Sequence, residues 1–300
     1  MRDLLAEARR YAAADANVLI TGETGVGKDA LARLLHHLSP RRRAPFVTID
    51  CPGLPDTLVE SELFGHERGA FTDATSARAG RFEAAGPGTL YLDAVSALKP
   101  EAQGALLRVV EEKRVTRLGG IGSIDVRARI VASAAADIED AVRAGLFRTD
   151  LYHRLRVLPL AVPALRERPE DILPLARHFG AEAAQRARRA PPAITADAED
   201  ALVRYRWPGN VRELQYVLER VLVAGVSDRI TAGDLPIEVL EQHDTFDGPD
   251  PLPRPTLEEV ERRYIQLILR HTKGNQTEAA RILGISRKAL WEKRKRYGIE

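Results

Sequence analysis

Gly22-Glu-Thr-Gly-Val-Gly-Lys28 is the stretch that decides the fold, because it joins the apolar run Val18–Ile20 to a helix-like run from Ala30. Its spacing matches the G-x-x-x-x-G-K pattern of a phosphate-binding loop. Glycines let backbone N–H groups converge on a phosphate, and the N-terminus of the following helix adds partial positive charge. A plain glycine turn would explain the glycines alone, but strand, turn, lysine and helix together favour a nucleotide site.

The predicted nucleotide-binding residues of this stretch are Gly22, Glu23, Thr24, Gly25, Val26, Gly27, Lys28 and Asp29. Lys28 is expected to reach the β- and γ-phosphates as a point charge. Asp29 stands where the general pattern has Ser or Thr, so that pattern is matched only in part.

Around the loop, short apolar runs alternate with helical patterns. The five runs are Val18–Ile20, Phe46–Ile49, Leu90–Leu92, Ile130–Ala132 and Val157–Leu160. Strands that alternate with helices predict an α/β fold with a parallel, doubly wound sheet. Asp93 directly follows the third run and is placed to hold Mg²⁺, directly or through water, when the phosphate loop is also present.

Length and composition bound the class of protein. The chain has 300 residues, of which 44% are hydrophobic and 29% charged, so we expect a globular protein of two or three units. It has no apolar run long enough to span a membrane and no signal peptide at its start, which predicts a cytoplasmic location. The single cysteine, Cys51, excludes an internal disulfide and is expected to be a small packed residue.

The pattern changes along the chain and predicts four segments. Residues 1–165 form the α/β unit, and residues 166–242 read as helices of a small lid. Residues 243–255 are rich in proline and acid without a period, as in a linker. Residues 256–300 carry eleven Lys/Arg against six Asp/Glu, whereas the rest of the chain is slightly acidic, which suggests a nucleic-acid contact at the C-terminus.

The C-terminal segment reads as three helices. Asn275 and Ser286 are predicted N-caps, and a glycine turn separates the last two helices, as in a helix-turn-helix. The last helix carries the predicted DNA-binding residues Arg287, Lys288, Trp291, Lys293, Arg294 and Arg296. The first three lie where base edges are reached, and the later cations are expected to meet phosphates. A basic, merely solvated helix is the alternative.

Several motifs resemble those of the sigma-54-dependent transcriptional activators, which are AAA+ ATPases. They are Gly22–Asp29, Glu60-Ser-Glu-Leu-Phe-Gly-His-Glu-Arg-Gly-Ala-Phe-Thr-Asp-Ala74, Phe147-Arg-Thr-Asp-Leu-Tyr-His-Arg154, Leu165-Arg-Glu-Arg168 and Trp207-Pro-Gly-Asn-Val-Arg-Glu-Leu214. The family also has an acid at the position of Asp29. The resemblance covers nearly the whole chain and implies a P-loop AAA+ sheet, a helical lid, a linker and an all-α, Fis-type helix-turn-helix.

The resemblance also implies partners and roles. It implies ATP and Mg²⁺ as cofactors, a ring of subunits, a palindromic DNA site and RNA polymerase holding sigma-54 as partners, and no membrane. Arg148 and Arg154 correspond to arginine fingers that reach a neighbouring subunit's ATP, and Arg212 corresponds to a lid residue that contacts the nucleotide. Solvated surface charge is the alternative for these three arginines. The implied sigma-54 contact is Gly69, Ala70, Phe71, Thr72, Asp73 and Ala74.

The chain departs from the family at the hydrolysis centre. Ala94 stands where the family has the glutamate that polarises the attacking water, and Ala135 replaces the sensor asparagine. Asp73 replaces a loop glycine. Asp50 stands where the family often has Asn, and a carboxylate there is a candidate for partial rescue of hydrolysis. The printed chain begins close to the first ATPase helix, so no receiver or sensory domain is expected on it.

Three interpretations remain open from the sequence. The first is an ATPase that remodels sigma-54 polymerase. The second is a hydrolysis-impaired regulator that binds ATP and DNA, or co-assembles with intact relatives, because losing a positioned general base typically costs about 10²–10⁴ in rate. The third is a degenerate reading frame that is rarely made.

Overall fold

The computed structural model describes residues 1–53, 58–71, 74–223, 228–240, 257–272 and 275–299. The chain divides into two units, Met1–Gln242 and His243–Glu300. The predicted linker, residues 243–255, lies outside the described residues. Over the ranges described, no helix is both long enough and apolar enough to cross a membrane.

The first unit is built on a five-stranded parallel sheet. Its strands are β1 (Val18–Thr21), β2 (Phe46–Asp50), β5 (Thr89–Asp93), β8 (Arg129–Ala134) and β9 (Leu158–Ala161). Their spatial order is β2-β5-β8-β1-β9, with every neighbouring pair parallel. This confirms the predicted parallel α/β fold. Val157, predicted within the last strand, precedes β9 and is 53% exposed.

Helices and short strand pairs surround this sheet. The helices are α1 (Arg2–Ala12), α2 (Lys28–Leu38), α3 (Val59–Phe64), α4 (Arg81–Ala85), α5 (Pro100–Glu112), α6 (Ile138–Arg143) and α7 (Thr149–Leu155). The antiparallel pairs are β3 (Gly65–His66) with β4 (Arg78–Ala79) and β6 (Arg114–Thr116) with β7 (Ser123–Asp125).

The sheet is buried on both faces. Along β1, Leu19 packs into one core with α3 to α7, whereas Val18 and Ile20 pack into a second core with α1 and α2. Successive strand residues point to opposite faces, so an uninterrupted apolar run is what a doubly covered strand requires. The three apolar residues Val18–Ile20 therefore serve two cores at once.

The lid follows the sheet and has its own core. It contains α8 (Ile172–Arg186), β10 (Ala193–Ile194), α9 (Ala196–Arg204), α10 (Asn210–Val223), β11 (Arg229–Ile230) and α11 (Ile237–Leu240). Trp207 is fully buried at the centre of this core, and its indole N–H donates to the Leu202 carbonyl at 2.9 Å. Because the Trp207 ring is buried and its N–H is hydrogen-bonded, it holds the turn that precedes α10 in place.

Over residues 257–272 and 275–299, the second unit comprises three helices, α12 (Leu257–His271), α13 (Gln276–Ile282) and α14 (Arg287–Tyr297). The Asn275 side chain accepts hydrogen bonds from the N–H groups of Thr277 and Glu278, and Ser286 accepts one from Ala289. Both predicted N-caps are thereby confirmed. The core includes Ile265, Ala279 and Leu290, so the three helices pack on one another.

Candidate nucleotide site and DNA-binding helix

The predicted phosphate loop joins β1 to the N-terminus of α2. Gly27 is the N-cap residue with φ +99°, a left-handed conformation that only glycine adopts at little cost. Lys28 opens α2, and its Nζ donates to the carbonyl oxygens of Gly22 at 2.7 Å and Glu23 at 2.9 Å. Burial lowers the pKa of Lys28, while the nearby Asp93 carboxylate opposes that shift. The lysine is thus held beside the loop and the predicted metal ligand.

The loop touches the lid directly at Gly25. The Gly25 carbonyl accepts a hydrogen bond from the backbone N–H of Arg212 at 3.2 Å. A Cβ atom built on Gly25 would lie 2.3 Å from the Gly209 carbonyl oxygen. Gly25 is therefore needed for close approach of the two backbones as well as for its φ of +80°.

Glu23 is the second link between loop and lid. Its carboxylate accepts two hydrogen bonds from Arg166, at 2.5 and 2.8 Å, and one from the Asn210 side chain at 3.0 Å. The Arg166 guanidinium holds the pKa of Glu23 at about 2. We call Glu23, Arg166 and Asn210 the lid latch.

Asn210 is the central member of the lid latch. It is fully buried, with φ +55° at the start of α10. Its side-chain oxygen accepts from the Leu165 N–H at 2.8 Å, and its amide also donates to the Thr24 carbonyl at 3.0 Å. One side chain thus satisfies backbone groups of the loop and of the segment entering the lid.

Arg168 is a loop contact that sequence reasoning did not single out. Its side chain is buried, and one guanidinium nitrogen donates to the Val26 carbonyl at 2.8 Å. Burial lowers the pKa of Arg168, and Asp171 lies 3.8 Å away. The Leu165–Arg168 motif contains this arginine, but nothing in the sequence indicates which group its side chain hydrogen-bonds to.

Asp93 ends β5 and is held by two hydroxyl groups. Its Oδ1 accepts hydrogen bonds from Ser133 at 2.5 Å and Tyr91 at 2.9 Å. The Ser133 hydroxyl also accepts the N–H of Ala94 at 2.8 Å. Ser133 therefore fixes both the carboxylate and the following peptide, and Oδ1 is engaged within the protein.

The residues beside Asp93 define what the site lacks. Ala94 adopts φ +53° and carries only a methyl group at the strand end. Ala135 follows β8, so neither position offers a polar side chain. Asp50 is paired in register with Asp93 on the neighbouring strand, and its side chain is exposed.

Cys51, next in the chain after Asp50, is buried. Burial, together with the charges of Asp93 and Asp50, raises the pKa of its thiol to about 12. This agrees with a packed residue, because a thiol whose pKa is raised by burial stays protonated and unreactive.

These residues fit a nucleoside triphosphate with Mg²⁺. Glycines with positive φ form a cradle at a helix N-terminus, with Lys28 and Asp93 on its rim. In the part of the chain that is described, no group of three His, Cys, Asp or Glu side chains could hold a metal ion alone. Mg²⁺ at Asp93 would take its remaining oxygen ligands from phosphate groups and water.

The three predicted nucleotide-contacting arginines lie in different surroundings. Arg148 precedes α7 and pairs with Asp150 through two hydrogen bonds, at 2.7 and 3.0 Å. Arg154 pairs with Glu111 at 2.8 Å. Both pairs are exposed, so freeing either arginine costs little. Arg212 and Thr24 line one cavity of about 280 Å³ between phosphate loop and lid.

The predicted sigma-54 loop lies between β3 and β4. Gly69 and Ala74 are joined by a backbone hydrogen bond of 2.8 Å, and Ala70 contributes an N–H to the Glu67 carbonyl. The Phe71 ring stands edge-on to His66, with the ring centroids 5.0 Å apart. Thr72 and Asp73 lie outside the described residues.

In the second unit, most predicted DNA-binding side chains lie on the exposed surface of α14. Arg287, Lys288, Trp291 and Arg296 are exposed. The two others, Lys293 and Arg294, are partly buried instead. Lys293 donates to Glu261 at 2.5 Å, whereas the Nε of Arg294 is buried without a hydrogen-bond partner among the described residues. These contacts weigh against a phosphate role for Lys293.

Three family descriptions match successive parts of the chain. "Sigma-54 interaction domain" matches residues 1–161, "AAA+ ATPase lid domain" residues 166–250, and "Bacterial regulatory protein, Fis family" residues 256–297.

Curated proteins and solved structures agree with these matches. The transcriptional regulatory protein ZraR of Klebsiella oxytoca is 45% identical over 98% of this chain and 66% of its own length. The sigma54-dependent transcriptional activator SfnR of Pseudomonas putida is 42% identical over 95% of this chain and 82% of its own length. The crystal structure of NtrX from Brucella abortus in complex with ATP superposes with a TM-score of 0.75 at 34% identity, covering 100% of this chain and 68% of that one.

The chain spans about two-thirds of the length of the first of these relatives. The described geometry and the matches over both units lead to one assignment: the chain belongs to the family of sigma-54-dependent transcriptional activators.

Proposed function

We propose that this protein is a transcriptional regulator that binds ATP with Mg²⁺, binds DNA, and acts on RNA polymerase holding sigma-54. The observation that carries the proposal is the direct link between phosphate loop and lid. Glu23 and Gly25 of the loop bond to Asn210 and Arg212 of the lid. A ligand that enters the loop therefore meets a lid whose position it can bias.

Each residue has a role in this proposal. The loop amides and Lys28 bind the phosphates, and Asp93 holds Mg²⁺ through the oxygen that Ser133 and Tyr91 leave free. Arg212 senses the nucleotide from the lid. Bound ATP–Mg²⁺ supplies the free energy that changes lid position.

Membership of the family supports the proposed assembly and partners. Arg148 and Arg154 serve a neighbouring subunit in a ring, made of this chain alone or together with intact relatives, because head-to-tail contacts close into rings. The loop around Phe71 contacts sigma-54. Paired C-terminal units read a palindromic DNA site. A regulator that acts on the chromosome and its polymerase works in the cytoplasm.

A second candidate is a regulator that holds ATP but hydrolyses it very slowly. The specific observation is the methyl group of Ala94 in place of a base, with Ala135 also apolar. Lys28, Asp93 and the loop glycines are retained, so affinity for the nucleotide is separable from its hydrolysis. The loss of a general base is expected to lower the rate by about 10²–10⁴.

The deciding experiment measures ATP binding and hydrolysis on the full chain and on Ala94→Glu. We expect tight Mg²⁺-dependent binding by both and turnover at least about 10²-fold faster in Ala94→Glu. Ala97→Glu is the matched control, because Ala97 is exposed three residues further along the same turn. Turnover in the native chain that is as fast as in an active Ala94→Glu variant would reject the slow-hydrolysis candidate, and failure to bind ATP would reject both.

A further inference from the structure

The exposed face of α14 carries an acidic residue among basic ones. Leu290 is buried, and Glu292 lies two residues further, about 200° around the helix and so nearly opposite. Lys288 and Lys295 lie one turn before and after it on the same exposed face. Glu292 is therefore at the outermost position of the helix that carries the predicted DNA contacts.

Glu292 combines a position on the basic helix with the lack of a partner. Two other carboxylates of this unit are engaged, since Glu261 accepts from Lys293 and Tyr297 and Glu278 pairs with Arg281. Glu258 is exposed like Glu292, but it lies on α12. Among the described residues, no hydrogen bond or ion pair involves Glu292. An exposed carboxylate at the centre of a basic face opposes phosphate binding, so it contributes nothing to general affinity for DNA.

Its neighbour Trp291 shows what this part of the face can contact. The Trp291 side chain is 56% exposed, and the Lys295 ammonium lies 5.4 Å from its ring centroid. An exposed aromatic ring offers apolar contact to a base edge, whereas the flanking cations suit phosphates. Glu292 thus lies among groups suited to the floor of the major groove.

We propose that Glu292 is a specificity-determining residue that accepts a hydrogen bond from the N4 amino group of a cytosine in the major groove. A carboxylate has only acceptors, so it needs a base with an amino donor in the major groove. Adenine presents its N6 donor beside the N7 acceptor, which repels a carboxylate, whereas cytosine presents its N4 donor without an adjacent acceptor on the same base. The same charge repels backbone phosphates at wrong sites, which raises discrimination at the expense of general affinity. This inference rests on the proposed DNA binding.

The test uses the full chain and a library of duplexes with a randomised central segment. Bound duplexes are selected and sequenced for the native chain, Glu292→Gln and Glu292→Ala. Glu258→Gln removes the same charge from an exposed position on α12 and is the matched control. Thermal unfolding of each variant verifies that the three-helix unit remains folded.

We expect the native motif to contain a C·G pair that is preferred by roughly 5- to 150-fold, the range of one good base contact. Glu292→Gln should shift that position towards adenine, which glutamine pairs with, and Glu292→Ala should make it degenerate. Glu258→Gln should retain the native motif. Every other position should keep its preference.

Two results are distinguishable failures. If the native chain and both Glu292 variants select the same motif, Glu292 does not read bases and the inference is overturned while DNA binding stands. If the native chain selects no sequence at all, the proposed sequence-specific DNA binding fails, and the inference fails with it.

Discussion

Asp50 and Asp93 end neighbouring parallel strands in register, so two carboxylate residues lie side by side at the carboxyl edge of the sheet. The Cys51 N–H donates to the Asp93 carbonyl at 3.1 Å and fixes the chain just beyond both. A Cβ atom on Gly53 would lie 2.7 Å from Oδ2 of Asp50, so the glycine leaves room for this carboxylate. Ala94 has no carboxylate, but Asp50 supplies one at the end of the neighbouring strand.

If Asp50 orients water for slow hydrolysis, removing its charge should lower the residual turnover. We expect Asp50→Asn, which keeps the shape of the side chain, and Asp50→Ala to lower the ATPase rate at least about tenfold with ATP affinity retained. The measurement is phosphate release at saturating ATP. An unchanged rate in both variants would remove Asp50 from the hydrolysis mechanism.

Ser133 should stabilise the fold through its hydrogen bonds to Asp93 and Ala94 at the end of β5. Ser133→Ala leaves the Ala94 N–H without its side-chain acceptor and removes a donor to Asp93. We expect the free energy of unfolding to fall by about 1–3 kcal/mol, the cost of a buried polar group left unpaired. Denaturant unfolding measures the loss. Ser123→Ala, at an exposed position on β7, should have little effect, and equal stability of the two variants would contradict the role of Ser133.

Two substitutions of Asn210 distinguish the effect of its latch hydrogen bonds from the effect of its backbone conformation. Asn210→Gly removes the side chain but leaves the left-handed backbone conformation accessible. Asn210→Ala removes the polar side chain and also disfavours that conformation. We expect both variants to release nucleotide faster than the native chain, and Asn210→Ala to be less stable than Asn210→Gly by about 1 kcal/mol. Stopped-flow release of a fluorescent ATP analogue tests the latch. Native release rates in both variants would show that the latch does not hold the lid.

The pH dependence of the lid latch follows from Glu23. Its pKa falls from the usual 4.5 to about 2 in the folded chain, so it stabilises the fold fully above pH 4.5 and loses this effect as the pH falls towards 2. Since the Glu23 side chain is about a third exposed, we expect a contribution below about 1 kcal/mol.

Unfolding free energies of the native chain and Glu23→Gln, measured from pH 7 to pH 3, test this prediction. The difference between the two proteins should shrink with falling pH. Glu101→Gln, at an exposed carboxylate of α5, is the control and should show no such trend. A difference that stays constant across the range would exclude Glu23 as the titrating group.

The sequence predicted the sheet well because its strands carry uninterrupted apolar runs between glycine and helix signals. All five predicted runs overlap strands of the sheet, and Asn275 and Ser286 cap the predicted helices. The short pairs formed by β3, β4, β6 and β7 were not predicted. Strands of two or three residues are too short to show a period, so tertiary contacts decide them.

The site was predicted in part. Loop, lysine and Asp93 follow from a local pattern, whereas the bonds of Asn210 to Glu23 and Thr24 join residues more than 180 positions apart. No spacing rule links such positions. Lys293, predicted from its place on a basic helix to meet DNA, bonds to Glu261, a partner that lies 32 positions away and that no local pattern indicates.

The sequence by itself determined the elements: which runs become strands, where the phosphate loop lies, and which helices form the C-terminal unit. Periodicity, glycine and capping residues act locally and can be read along the chain. Only the tertiary structure decided which side chains meet, such as Asn210 with Glu23, Ser133 with Asp93, and Arg168 with Val26. Packing brings these groups together and sets their partners, because a hydrogen bond depends on distance in space and not on separation in sequence.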